Sequence, residues 1–396
     1  AMTLDSATKQ YLTITLSYWA FTLTDGALRM LVLFFFHGLG YSPLELASLF
    51  ILYEFFGILT NLYGGWLATR IGLNVLLYIG LGLQILALGM LTVDPSMLSL
   101  VYVMIAQAIS GVAKDLNKMS AKSSIKLLIS DNQPAKLYRW IALLTGSKNS
   151  LKGLGFFLGG FLMATFGFSN SLFALMALLA VTLLLSLIFL QPQTTTFKPK
   201  FSETLSKSRD INLLSAARFF LFGSRDIWFV VALPVFLQSQ LQWSHLQVGS
   251  FMACWVIGYG LIQALTPKIT RNNQLQAPSG SALTSWVAKL ALIPALIAGG
   301  LVYGLDPAIT LIIGLFAYGG IFAINSSIHS FLIVAFAQRD SVSTDVGFYY
   351  MANASGRLAG IILSGLVYQQ QGLAACLIIS SLMVIISTIL SAKITR

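Results

Sequence analysis

Charged side chains are scarce in this 396-residue sequence, with Asp, Glu, Lys and Arg together making up 9%. An ordinary soluble domain carries roughly 25%, so the shortage excludes a soluble globular protein. Acid is scarcer still: 13 carboxylates stand against 24 Lys and Arg, a formal charge of +11. The basic residues are split among short loops and apolar stretches, so they do not form the continuous patch that engages nucleic acid. No nucleic-acid partner is expected. The two cysteines, Cys254 and Cys376, each lie alone in an apolar segment, which leaves neither a disulfide framework nor metal-ligand spacing. His37, His245 and His329 are isolated from one another, and no H-E-x-x-H or nucleophile motif accompanies them. Neither an enzyme active site, a metal nor a cofactor is expected. A cleavable leader is not expected either, because the first apolar stretch is too long and carries Asp25 and Arg29.

What the chain has in abundance is apolar surface: 57% hydrophobic residues, 12% aromatic, and a mean hydropathy of +0.81. A membrane-spanning helix needs about 20 largely apolar residues. Twelve such stretches follow one another, at 11–36, 44–69, 74–93, 97–119, 138–166, 169–190, 211–238, 245–268, 282–304, 308–336, 344–369 and 372–392. The longest clearly polar stretch, QPQTTTFKPKFSETLSKSRD at 191–210, divides six from six. The expected organisation is an all-α polytopic membrane protein with an N-terminal bundle at 1–191, a cytoplasmic linker at 192–212 and a C-terminal bundle at 213–396.

The halves echo each other. Lys152, Gly155, Gly160 and Gly167 have counterparts 205 residues on in Arg357, Gly360, Gly365 and Gly372, and SPL at 42–44 matches SHL at 244–246. Repeats of this kind in transporters place the substrate between the halves near the bilayer midplane. Twelve spans, a basic central linker and parallel halves together read as a major facilitator fold of two pseudo-symmetric six-helix bundles. Lys9, Arg70, Lys126, Lys136, Lys198, Lys200, Lys207, Arg209, Arg271, Arg339, Lys393 and Arg396 fall on one side, while the opposite loops hold no Lys or Arg. By the positive-inside rule both termini are cytoplasmic.

Between the second and third spans, GGWLATRIGLN at 64–74 is close to the Gly-x-Leu-Ala-Asp-Arg-x-Gly loop of major facilitator proteins, with Thr69 where that pattern has Asp. In the fifth span, GLGFFLGG at 153–160 reads as a stripe of small residues that lets helices approach closely.

Ionisable groups inside the membrane are costly, at least about 2.5–3.5 kcal/mol each on insertion scales. The basic residues in the spans include Arg29, Lys114, Lys118, Lys148, Lys152, Arg218, Arg225, Lys289 and Arg357. Fewer acids accompany them, among them Asp25, Glu54, Asp115, Asp226 and Asp345. A surplus of buried positive charge opening to water suits an anion of two or more charges. Asp25 and Arg29, spaced i, i+4, either neutralise each other or meet substrate. Asp115 can pair with Lys118 at i, i+3. Lys118 and Lys122, near a cytoplasmic helix end, are expected to snorkel and form a basic funnel there. Lys289 reads as an interfacial anchor, and Arg218 is ambiguous for the same reason. Lys148 and Lys152 lie roughly 15–20 Å into the fifth span at 1.5 Å per residue, with Asn353 and Arg357 as their counterparts in the eleventh. The candidate binding set is Arg29, Lys114, Lys148, Asn149, Lys152, Arg225, Tyr349, Asn353 and Arg357. Arginine suits tetrahedral oxyanions because its planar fork donates two parallel hydrogen bonds. Asp25, Glu54, Asp226 and His329 are candidates for coupling to protons.

The stretches YWAFTLTDGALRMLVLFFFHGLGYSPLELASLFILYEFFGILTNL (18–62) and GVAKDLNKMSAKSSIKLL (111–128) resemble the organoarsenical efflux permeases of the major facilitator superfamily. The resemblance covers nearly the whole chain. It implies export of 1-arseno-3-phosphoglycerate, the ester made when a glyceraldehyde-3-phosphate dehydrogenase uses arsenate in place of phosphate. It also implies functional partnership with that dehydrogenase, a bacterial inner-membrane location and a monomer. The residues alone reach an organic dianion. Sugar-phosphate/phosphate antiport, or transport of another organic anion, is the other reading they allow.

Overall fold

The computed structural model describes residues 5–41, 43–192, 205, 207–230, 232–243, 245–270 and 277–396. Most of the polar linker, Arg271, and the Ser42 and Ser244 of the repeated tripeptides lie outside the described residues. Every long element among the described residues is a helix. In chain order these are α1 (Ser6–Gly38), α2 (Pro43–Ile71), α3 (Leu73–Met90), α4 (Leu100–Leu128), α5 (Pro134–Phe166), α6 (Phe168–Phe189), α7 (Arg209–Phe229), α8 (Ala232–Ser239), α9 (His245–Ile269), α10 (Gly280–Ala291), α11 (Ile293–Val302), α12 (Pro307–Phe336), α13 (Val342–Gln371) and α14 (Leu373–Ala392).

Two of the twelve expected spans are each built from a pair of helices. The seventh breaks between α7 and α8, and the ninth breaks at Leu292 between α10 and α11. Hydropathy runs unbroken through both places, so it conceals the breaks, but proline does not. Pro234 and Pro294 each lack an N–H and crowd the carbonyl four residues earlier, which stops a helix. Inside a membrane the freed backbone groups need partners. Serines supply them: Ala232 N–H donates to Ser364 Oγ at 3.0 Å, and Ala295 N–H donates to Ser381 Oγ at 2.9 Å.

The chain clusters into two compact units, one of Ala1–Trp140, Ser147–Ser206 and Ala337–Met351, the other of Ile141–Gly146, Lys207–Phe336 and Ala352–Arg396. In the first unit α1 crosses α5 at glycines. A Cβ on Gly26 would stand 2.6 Å from the Lys152 carbonyl oxygen, and one on Gly155 2.8 Å from that of Leu23. Gly159 meets Ala27 in the same way. The small-residue stripe of the fifth span is therefore a packing surface, and it fixes Lys148 and Lys152 at a set height beside α1. The second unit repeats the device where α7 crosses α13. A Cβ on Gly360 would stand 2.8 Å from the Asp226 Cβ, and one on Gly356 would overlap the Phe219 carbonyl. Gly167 and Gly372, 205 residues apart, both turn the chain at positive φ, 77° and 84°, between consecutive helices. Only glycine takes that conformation without strain.

The crossing gives a direct stability prediction. Gly356→Ala is expected to cost about 1–3 kcal/mol by overpacking a backbone contact. Gly365→Ala, where nothing lies within 4 Å of the added methyl, is expected to stay within about 0.5 kcal/mol of the parent. Thermal unfolding of the detergent-solubilised variants checks the contrast, and equal melting temperatures would remove the packing role.

Candidate functional site

In the first unit, Tyr53 on α2 organises the charges around it. Its hydroxyl donates to both oxygens of Asp25, at 2.8 and 3.0 Å. Lys114 Nζ lies 4.3 Å from the Tyr53 ring centre, and the Arg29 guanidinium lies 5.7 Å from it and 5.0 Å from that of Phe50. No ion pair within 4.0 Å joins Asp25 to Arg29 among the described residues. The i, i+4 spacing permits that pair, but a tyrosine from a second helix takes the carboxylate instead and aromatic faces take the guanidinium. Asp25, Leu28, Arg29, Phe50, Tyr53, Gln107 and Ser110 converge here around a gap too tight to hold a water molecule. Glu54, next to Tyr53, is buried and lies near Asp115.

A second cluster joins α4 to α5. The charged groups within electrostatic reach of Lys148 are Lys152, Lys118, Lys114 and Lys122. Five lysines from two helices thus share one neighbourhood. Lys148 Nζ donates to Asn149 Oδ1 at 3.3 Å, and Lys118 pairs with Asp115 at 3.1 Å, the i, i+3 contact the spacing predicts. Lys118 also lies over the Tyr350 ring at 4.2 Å. The expected snorkelling of Lys118 and Lys122 does not occur in this structure: they are 8% and 1% exposed. Their positions near a helix end suggest contact with water, but the packed helices cover them, and they belong to the buried cluster rather than to a solvated funnel. Tyr349 is fully buried and packs edge-on against Tyr350 at 4.8 Å. At the α2–α3 turn, the Thr69 hydroxyl donates to the Trp66 carbonyl at 2.6 Å and Arg70 stacks on Trp66 at 5.3 Å.

The second unit gathers Arg225, Arg357 and Asp226. The Asp226 oxygens take Arg225 Nε at 2.7 Å and Arg357 Nε at 3.7 Å, one on each side. The carboxylate is 1% exposed, whereas the two arginines are 14% and 19% exposed. One carboxylate thereby holds two guanidinium groups from α7 and α13 close together despite their like charge.

Sequence reasoning missed Arg218 as a member of the site. It is 4% exposed, not an interfacial anchor, and its Nε donates to Asn353 Oδ1 at 2.8 Å. One terminal nitrogen donates to Ser326 Oγ at 3.3 Å. Ser326 in turn receives hydrogen bonds from Tyr259 and Gln263, both at 2.9 Å. Phe222 lies between Arg218 and Arg225, 3.8 Å from the guanidinium of the first and 4.8 Å from that of the second. The signal was present: Arg218, Phe222 and Arg225 are spaced i, i+4, i+7 and share one helix face. His329 is fully buried on α12, within electrostatic reach of Arg218. Lys289 is exposed and packs on Trp286 at 4.0 Å, as an interfacial anchor should. Asp345 accepts from the backbone N–H of Gln338 at 3.1 Å and so ties down the turn before α13. Among the described residues, no group of three or more His, Cys, Asp or Glu side chains is placed to hold a metal ion.

With that geometry in hand, comparison with known proteins is informative about the fold. The family model for the Major Facilitator Superfamily matches residues 14–332. No curated protein matches the sequence significantly. Among solved structures, the chain is similar to the human organic anion transporter MFSD10 (TETRAN), with a TM-score of 0.74, 18% identity, and 97% and 98% of the two chains covered. A bacterial homologue of the iron transporter ferroportin in its outward-facing state gives 0.76 at 13% identity, covering 98% of this chain and 99% of that one. The E. coli fucose:proton symporter gives 0.76 at 11% identity, covering 99% and 100%. Likeness at these identities concerns the fold alone.

Proposed function

This chain belongs to the Major Facilitator Superfamily and is a secondary transporter, and we propose that its cargo is an organic dianion, exported as 1-arseno-3-phosphoglycerate. The observation that carries the anion reading is the cluster of Lys114, Lys118, Lys122, Lys148 and Lys152, with Asp115 paired into it. Like charges gathered in a poorly solvated place repel one another and lose hydration, and an anion arriving among them would offset both. A second cationic group stands in the other unit, where Arg225 and Arg357 flank Asp226 and Arg218 shares a helix face with Arg225. The arsenical identity comes from the resemblance of residues 18–62 and 111–128 to organoarsenical efflux permeases. On this reading the chain sits in a bacterial inner membrane with both termini cytoplasmic. It works as a monomer downstream of a glyceraldehyde-3-phosphate dehydrogenase that makes its substrate.

Arg29 on α1 and Arg225 on α7 favour one further reading, sugar-phosphate/phosphate antiport, in which one arginine per half grips the phosphate. Counterflow in proteoliposomes separates the two: labelled phosphate exchanging for sugar phosphate supports antiport. The test of the export reading is growth on arsenate. Cells carrying this chain are expected to resist arsenate only when a glyceraldehyde-3-phosphate dehydrogenase is co-produced, and equal resistance without it would sink the assignment.

A further inference from the structure

Where α1 begins and α6 ends, a cation and apolar side chains share one surface. Lys9 stands in the first turn of α1, with Leu12 one turn on along the same face, and Ile188 and Phe189 close α6. Both helices are long and apolar enough to cross a membrane, so these residues lie at the end of the spans. A groove of about 640 Å³ runs here, with Lys9, Leu12, Ile188, Phe189 and Gln191 in its walls. Sites for small molecules run from about 300 to 1,000 Å³, so the groove has room for a ligand. Hydrogen bonds fix its walls. The buried Gln10 side chain donates to the Phe189 carbonyl at 3.0 Å and accepts the Gln191 N–H at 2.9 Å. The Asn74 amide donates to the Gln191 carbonyl at 2.7 Å. Two carbonyls that would oppose an anion are thereby occupied. Lys9 is exposed and makes no ion pair among the described residues, and no carboxylate lines the groove. Asp5, one turn earlier, accepts the Thr8 N–H at 2.7 Å instead.

We infer that this groove is a binding site for an anionic phospholipid, its phosphate on Lys9 and an acyl chain along Leu12, Ile188 and Phe189. The site shares no residue with the charged clusters described above, so it does not depend on the cargo. Two features of the groove select the occupant together. Its polar end is cationic: Lys9 lies at the positive end of the α1 dipole, and the exposed Gln191 amide offers a further N–H. Its other wall is apolar and exposed to the membrane. Free phosphate would use the first and leave the second bare. A zwitterionic lipid would bring its own ammonium close to Lys9 and lose much of the attraction. A lipid with net negative charge in its headgroup uses both walls. Basic pockets between spanning helices hold anionic headgroups by this combination.

The test uses the purified, delipidated full chain in detergent, offered phosphatidylglycerol and phosphatidylcholine with the same acyl chains. Retained lipid is counted by native mass spectrometry. The parent is expected to retain the anionic lipid roughly fivefold over the zwitterionic one, the contribution of one lysine beside an anionic headgroup. Lys9→Gln is expected to bring that ratio close to one. Lys9→Arg keeps the charge and is expected to keep the preference; it carries the test should the glutamine variant not fold. Lys268→Gln removes another exposed lysine at a helix end, in the last turn of α9, and is expected to leave the ratio unchanged. A parent that retains both lipids equally, a preference that survives Lys9→Gln, or one lost in Lys9→Arg would overturn the site. An equal loss in Lys268→Gln would overturn it as well, since general surface charge would then explain the preference. Displacement of the bound phosphatidylglycerol by inorganic phosphate would show a site for free anions and overturn the lipid assignment.

Discussion

Replacing Asp226 with alanine is expected to destabilise the protein by about 3–5 kcal/mol, the cost of removing one partner of a buried charge pair. The figure follows from where the charges sit. The carboxylate is almost fully covered, and two guanidinium groups from different helices contact its opposite oxygens. Without it, Arg225 and Arg357 lose the carboxylate that joins them at the α7–α13 crossing, while the glycine contacts hold their backbones close. Asp226→Asn keeps the shape and one acceptor oxygen, so its loss is expected to be smaller. Adding Arg225→Met to Asp226→Ala removes one of the two cations that shared the carboxylate and is expected to restore part of the stability, a non-additivity characteristic of groups in one network. Thermal unfolding of the three variants measures this directly. Additive effects would show that the two arginines do not share the carboxylate.

Lys148→Met is expected to act in the opposite sense, abolishing export while leaving the fold intact. Four other lysines lie within electrostatic reach of it, and it donates a hydrogen bond to the neutral amide of Asn149. Removing it relieves repulsion within the cluster, so the melting temperature is expected to hold or rise. Export is expected to fall by at least roughly a hundredfold, in line with the larger effects seen when a fully desolvated charged contact to a ligand is lost. Lys148→Arg keeps the charge at a different reach and is expected to recover part of the activity. A methionine variant that exports normally, or that unfolds while the arginine variant is stable, would make Lys148 a structural residue.

Much of the fold was legible because its signals are local. Apolar runs of spanning length marked the twelve spans, and the 205-residue offset of Gly155 and Gly360 anticipated the two glycine crossings. The Asp115–Lys118 pair was also readable, since both partners lie on one helix. Interactions that join different helices were hidden. Asp25 pairs with Tyr53 rather than Arg29 because α2 brings a hydroxyl to it, and no spacing within α1 encodes that. Lys122 was misread, and Arg218 left ambiguous, for a related reason: nearness to a helix end was taken to favour access to water, whereas both are buried. The two broken spans were a different failure. Pro234 and Pro294 were visible, but continuous hydropathy hid their effect.

The central claim, export of an organic dianion made from arsenate, is tested most directly in everted membrane vesicles. These would be supplied outside with glyceraldehyde-3-phosphate dehydrogenase, NAD, arsenate and glyceraldehyde-3-phosphate labelled in its phosphate. The account predicts that label accumulates inside only when arsenate, the dehydrogenase and this chain are all present, and that Lys148→Met vesicles stay empty. Accumulation of arsenate without the dehydrogenase, or no chain-dependent accumulation of label with every component supplied, would contradict it.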